Sequence, residues 1–287
     1  MLFRPPAEAD SLIIRVADGC PWNRCAFCGM YQGVQYRAHS PQEIAAACRE
    51  AQHAWPDAAR VFLADGDVMA LPSEVLETIL RDLLTLFPRL QRVSVYANGR
   101  SIGAKSDEQL RRLCALKLHT LYMGLESGDD ATLAAMRKCE TADEMVDAAA
   151  RAQACGLRMS VMLLIGVGGK QGSARHAAAT AAALNRMQPR LLSALRVIPV
   201  PGTALQHEVQ RGAFEEVSEW QAVAELREIV ARLALERCVF RANHSSNVIP
   251  LAGRFPQDKE RLLHELDDLL ASDELDRETP GPAPLFL

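Results

Sequence analysis

Three cysteines fall within nine residues of the segment ADGCPWNRCAFCGMYQG, residues 17–33: Cys20, Cys25 and Cys28, spaced C-x4-C-x2-C. Thiolates this dense suit soft metals and iron–sulfur clusters. They do not read as packing residues, because Gly19, Pro21, Asn23, Arg24 and Gly29 of the same segment are poor core material. A structural zinc site takes four ligands, commonly from two knuckles. No second knuckle exists: Cys48, Cys114, Cys139, Cys155 and Cys238 are scattered singly. Most of them lie in Ala- and Leu-rich stretches, where Cys acts as a small apolar residue. By spacing alone the run also matches a plant-type [2Fe–2S] ferredoxin, whose fourth cysteine lies further on. The nearest later thiol, Cys48, falls inside an expected capped helix. Three ligands without a fourth leave one iron of a [4Fe–4S] cluster open, and an open coordination position is a catalytic feature.

The elements that must position this loop repeat along the chain. SLIIRVA (11–17), RVFLADGD (60–67), RVSVYANGR (92–100), TLYMGLESG (120–128), LRMSVMLLIGVGG (157–169) and LLSALRVIPVPGTAL (191–205) read as six strands with their exits. Amphipathic helices lie between them, with capping boxes at Ser40/Glu43, Ser106/Gln109 and Thr141/Glu144. Near-continuous apolar strands alternating with helices predict a parallel sheet or barrel covered by helices. After residue 206 the pattern changes. Residues 217–238 read as one long helix, 239–259 as a loop, 258–272 as a last helix, and the remainder as a loose tail. The expected division is therefore a core over 1–205 and an extension over 206–287 packing on it.

Ligands of parallel α/β folds bind at the C-terminal ends of strands. The cysteine loop, Asp65 and Asp67, Asn98, Glu126 and Ser127, and Gly166 all fall at such ends. Carboxylates there suit an ammonium or ribose hydroxyls, and glycines admit a flat ring close to backbone. Arg196 lies in the sixth strand; a buried charge needs a partner, and a ligand carboxylate or Glu126 would serve.

Taken together, these segments resemble the radical S-adenosylmethionine (radical SAM) superfamily over residues 11–205. The loop carries Phe27 just before its last cysteine, as that family does. The usual family spacing is C-x3-C-x2-C, so this chain has one extra residue in the first gap. ADGD (64–67) is similar to the family's Gly-Gly-Glu-like turn. MGLESGDDATLAAMRK, LLIGVGG and LRVIPVPGTAL resemble segments of the branch holding coproporphyrinogen oxidases, methylthiotransferases and Elongator-like enzymes.

The resemblance implies a partial (β/α)6 TIM-like barrel of parallel strands with a C-terminal helical extension. It implies a [4Fe–4S] cluster on Cys20, Cys25 and Cys28. It also implies S-adenosylmethionine held by Phe27, Asp65, Gly66, Asp67, Asn98, Glu126, Ser127, Gly166 and Arg196. Reductive cleavage of that cofactor would give a 5′-deoxyadenosyl radical that abstracts hydrogen from a substrate. An electron donor such as flavodoxin or ferredoxin is expected as a partner, and oxygen sensitivity with it.

The substrate, small or macromolecular, is not legible. The polar run RANHSSN (241–247) is either a substrate-side feature or a capped turn. Two other readings stay open: a non-catalytic iron–sulfur carrier or sensor, and a zinc-stabilised interaction module.

Composition limits the alternatives. The 287 residues are 49% hydrophobic, enough for a large core, and carry a net charge of −4. With only 5% aromatic residues, a nucleic-acid surface is not indicated. No apolar run is long enough to span a membrane and the N-terminal segment lacks an apolar signal core, so a cytoplasmic protein without a membrane partner is expected.

Overall fold

The computed structural model describes residues 3–282. The fold is α/β, and its main sheet is mostly parallel with intervening helices. The chain divides into two compact units. One comprises Met1–Asn23, Met30–Met123 and Asp147–Met159; the other comprises Arg24–Gly29, Gly124–Val146 and Ser160–Leu287.

In the first unit β1 (Leu12–Arg15), β4 (Arg60–Ala64), β5 (Arg92–Tyr96) and the start of β6 (Leu118–Glu126) pair in that order, all parallel. A short antiparallel pair, β2 (Ala17–Asp18) and β3 (Arg37–Ala38), brackets the segment that bears the cysteines. The connecting helices are α1 (Pro41–Ala54), α2 (Ser73–Leu86), α3 (Gly99–Gly103) and α4 (Asp107–Ala115). The capping boxes expected at Ser40/Glu43 and Ser106/Gln109 are formed, satisfying first-turn N–H groups that would otherwise be orphaned. β4 reads RVFLA, and four of its five residues are buried. This is the continuous apolar run of a strand covered on both faces.

In the second unit β7 (Arg158–Ile165), β8 (Leu191–Arg196) and β9 (Cys238–Ala242) run parallel, and β10 (Leu251–Phe255) returns antiparallel to β9. Its helices include α5 (Asp130–Ala135), α7 (Gly169–Met187), α8 (Ala204–Gln210), α9 (Glu219–Arg232) and α10 (Lys259–Ala271); α6 (Ala142–Ala154) is divided between the units.

The C-terminal part differs from the expectation of helices and loop. The long helix stops at Arg232, and residues 238–255 form a hairpin that extends the sheet. Cys238, Phe240 and Ala242 point inward in strand alternation, and Phe240 stacks edge-on against Phe255 at 5.7 Å. Of the expected loose tail, residues 276–279 are tied down and residues 283–287 lie outside the described residues. Trp220 N–H donates to Asp276 O at 3.0 Å, Glu219 N–H to Thr279 O at 3.0 Å, and Arg277 lies 5.3 Å over the Trp220 ring.

Candidate cofactor site

In the first unit the exits of β1, β4 and β5 share one edge of the parallel strands. The turn after β4 begins with a cis Ala64–Asp65 peptide. At Gly66 a Cβ would lie 2.6 Å from Gly19 O and 2.7 Å from both Cys20 Cα and Cβ. Only glycine lets the cysteine loop rest on this turn. Asp65 is 3% exposed. It accepts a hydrogen bond from the Tyr31 hydroxyl at 3.0 Å and faces Arg15 Nε at 3.3 Å. Burial raises its pKa, against the opposing pull of Tyr31 and Arg15.

Asp67 is buried too, and its oxygens are taken: Asn98 Nδ2 donates to one at 3.0 Å and Ser101 Oγ to the other at 2.9 Å. Asn98 also caps α3. The structure thus brings Asp67 and Asn98 together, bonded to each other. Beside Asp65 lies a cavity of about 520 Å³, lined among others by Arg15, Asp18, Tyr31 and Tyr36.

In the second unit the Cys25–Gly29 segment is docked through its backbone. Ala26 N–H donates to Met136 O at 2.8 Å, and Leu205 N–H donates to Ala26 O at 2.9 Å. Phe27 packs on the cluster of Ala26, Met136, Leu164, Val167 and Val197. Gly29 lies against Val200, where a Cβ would come within 2.6 Å of Cγ1. The three thiols are partly exposed and free of disulfides.

Glu126 ends β6 with φ +62° and is buried. Its Oε1 lies 3.8 Å from Lys138 Nζ, which donates to Gly124 O at 2.7 Å. Its Oε2 is buried without a hydrogen-bond partner. Burial raises the Glu126 pKa, with Lys138 opposing. Lys138 is raised despite its own burial, because Glu126 and Cys25 favour its charge.

Ser127 is fully buried and meets His176 Nδ1 at 2.7 Å. Gly166, with φ +80°, donates its N–H to Glu225 at 2.6 Å. Arg196 is not paired with Glu126. Its Nε donates to Ser246 O at 2.7 Å, and its other nitrogens reach the carbonyls of Pro280 and Pro282. The polar run 241–247 begins inside β9; beyond it, Asn247 Nδ2 donates to Ala194 O at 2.8 Å.

Several side chains that hold the candidate residues within each unit escaped the sequence reading: Tyr31 and Ser101 in the first, Lys138, His176 and Glu225 in the second. Glu225 did leave a signal, as a carboxylate within the apolar spacing of Ala222, Leu226 and Ile229. Lys138 and Tyr31 left none, because their partners are set by tertiary folding.

The residues fit an iron–sulfur cluster with a small cationic cofactor. The donor set is three thiols outside any disulfide on one short loop, and Glu126 Oε2 is a buried acceptor with no hydrogen-bond donor. Among the described residues no three His, Cys, Asp or Glu side chains gather around one metal-ion position. A cubane takes each thiolate on a separate iron, so its ligands do not converge on one point.

A model of the Radical SAM superfamily matches residues 14–177. No curated protein matches. Among solved structures, coproporphyrinogen III oxidase (HemN) from Escherichia coli has a TM-score of 0.58 at 18% identity, covering 77% of this chain and 51% of that one. Methylornithine synthase (PylB) has a TM-score of 0.52 at 15% identity, covering 90% and 81%. Elp3 from Methanocaldococcus infernus has a TM-score of 0.54 at 12% identity, covering 90% and 63%. At these identities the likeness is one of fold. No helix among the described residues is long and apolar enough to cross a membrane.

Proposed function

The chain belongs to the Radical SAM superfamily, and from that membership we propose that it is a radical S-adenosylmethionine enzyme with a [4Fe–4S] cluster on Cys20, Cys25 and Cys28. The observation that carries this reading is the family match over a chain whose β1 exit bears three thiols outside any disulfide, with Gly66 fitted against Cys20. When bound, the cluster and cofactor supply one-electron cleavage of S-adenosylmethionine and hydrogen abstraction from a substrate.

The chain's own residues divide the remaining work. Gly66 gives the cysteine loop its seat, and Phe27 anchors its last turn in an apolar cluster. Asp65 offers a carboxylate to the cofactor's ammonium beside the 520 Å³ cavity, with Arg15 and Tyr31 fixing its direction. Asp67 and Asn98 stiffen the same turn through their mutual hydrogen bond. Glu126 presents its unpartnered Oε2 to a hydroxyl or ammonium donor, while Lys138 keeps the carboxylate from being an isolated buried charge. Ser127 holds the segment after Glu126, and Gly166, packed against Val217, sets the turn at the β7 exit. Arg196 closes the β8 exit. A one-electron donor protein such as flavodoxin or ferredoxin is the implied partner.

The test is anaerobic reconstitution with iron and sulfide, followed by dithionite and S-adenosylmethionine. The expected result is about four irons per chain and formation of 5′-deoxyadenosine, both lost in a Cys20/Cys25/Cys28→Ala triple variant. A reconstituted protein that holds iron and cycles reversibly, indifferent to S-adenosylmethionine, would be an electron carrier, and the enzyme reading would fall.

A further inference from the structure

Two segments expected to meet the cofactor in the second unit, Glu126–Ser127 and Gly166, come from different strands. One residue reaches both. Glu225, in the middle of α9, is 3% exposed. Its Oε1 accepts the Gly166 N–H at 2.6 Å, and its Oε2 accepts the Ser173 hydroxyl. The same Oε1 lies 3.4 Å from His176 Nε2, and His176 Nδ1 is 2.7 Å from Ser127 Oγ. Ser127 Oγ in turn accepts the Asp129 N–H at 3.0 Å.

Burial drives the His176 pKa down to about 4, so the ring is neutral. A neutral ring accepts the Ser127 hydroxyl at Nδ1, and its buried Nε2 lies near Glu225 Oε1 without forming a hydrogen bond to it. His176 therefore stands between the residue after Glu126 and the carboxylate at the exit of β7, bonded to the first and only facing the second.

A carboxylate on the apolar stripe of a helix is costly unless its acceptors are used. Glu225 uses both, and both serve backbone or side chains at the site rather than packing. The turn it holds is also tight: a Cβ at Gly166 would come within 2.8 Å of Val217 Cγ2. Glu225 lies outside residues 14–177, the part matched to the family.

We propose that Glu225 is a positioning residue for S-adenosylmethionine. It fixes the Gly166 turn directly, and it packs against His176, the ring that meets the Ser127 hydroxyl. The proposal rests on the radical SAM reading above. Glu225 is also able to tune this hold, since burial raises its pKa to about 7. The ionised carboxylate makes the stronger, charge-assisted bonds to Gly166 N–H and Ser173. His176, itself faced by Asp129, is the titratable side chain facing Glu225 among the described residues.

The test is equilibrium dialysis of S-adenosylmethionine against anaerobically reconstituted protein from pH 6 to 8, with iron counted in each sample. Glu225→Ala should weaken binding about tenfold at unchanged iron content. Glu225→Gln keeps an acceptor for Gly166 and should stay within about threefold of wild type at pH 6. Wild-type affinity should tighten as pH rises through about 7, and Glu225→Gln should be flat. Ser173→Ala removes one anchor of the carboxylate with little change in volume and should weaken binding about threefold, even if Glu225→Ala does not fold. Wild-type affinity in Ser173→Ala, or a pH profile unchanged by Glu225→Gln, overturns the proposal. A wild-type protein that holds iron but never binds S-adenosylmethionine overturns the function reading itself.

Discussion

Asp67 and Glu126 occupy matching places, each a buried carboxylate at the exit of a parallel strand, but they are satisfied in opposite ways. Asp67 is closed off by two neutral donors, Asn98 and Ser101, from the helix that follows the next strand. Glu126 faces a buried cation, Lys138, and keeps one oxygen without a partner. A carboxylate with both oxygens bonded acts as a strut, whereas a buried one with an oxygen that accepts nothing has capacity for a ligand. Position at a strand exit is therefore not enough to assign a cofactor contact; the hydrogen-bond account of each oxygen decides it.

The largest expected effect breaks the first region at its seat. Gly66→Ala places a methyl group against the backbone of Gly19 and Cys20, which cannot rotate away as a side chain could. Reconstituted Gly66→Ala should retain little iron, read by metal analysis, while the second unit keeps its fold. Next is Lys138→Met, which removes the cation and leaves Glu126 buried alone. Breaking such a pair costs about 4 kcal/mol, visible as a lower denaturant midpoint. Glu126→Gln added to Lys138→Met should recover part of that loss, because the amide carries no charge to strand.

The same contrast explains what could be read in the sequence. Strand exits and capping boxes are local, so Ser40/Glu43, Ser106/Gln109 and the placement of Asp65, Asn98 and Gly166 followed from spacing. The cysteine loop was legible for the same reason. The tertiary partners were not. Glu126 finds Lys138 because the chain turns through α5, and Gly166 finds Glu225 across 59 positions. The β9–β10 hairpin was hidden by the Gly, Pro, Asn and Ser residues between its strands, although Cys238, Phe240 and Ala242 do alternate. Arg196 was correctly expected to need a partner, but that partner is backbone carbonyl, which no side-chain pattern announces.

Two smaller perturbations sharpen the comparison. Asp67→Ala strands the buried Ser101 hydroxyl and the half-buried Asn98 amide, for a loss of about 2 kcal/mol; Asp67→Asn retains one acceptor and should lose less. If the first region is a strut, the ratio of 5′-deoxyadenosine formed to bound cofactor should stay near wild type in Asp67→Asn.

The second region should instead answer to pH. At pH 5.5 the folded chain holds one proton on the Glu225–His176 pair, on Glu225, because the carboxyl is raised to about 7 and the imidazole lowered to about 4. The unfolded chain also holds one there, on histidine, since ordinary values are near 4.5 and 6.5. Equal proton counts mean no contribution to the slope of stability between those two values. In Glu225→Gln only the histidine remains. The unfolded state then binds a proton that the folded state refuses, so stability rises with pH from about 4 to 6.5. The variant should gain about 2 kcal/mol over that window relative to wild type, measured by denaturant midpoints at pH 4.5, 5.5 and 6.5. Parallel profiles for the two proteins would mean that Glu225 and His176 titrate independently of the fold. The second region would then be as inert a strut as the first.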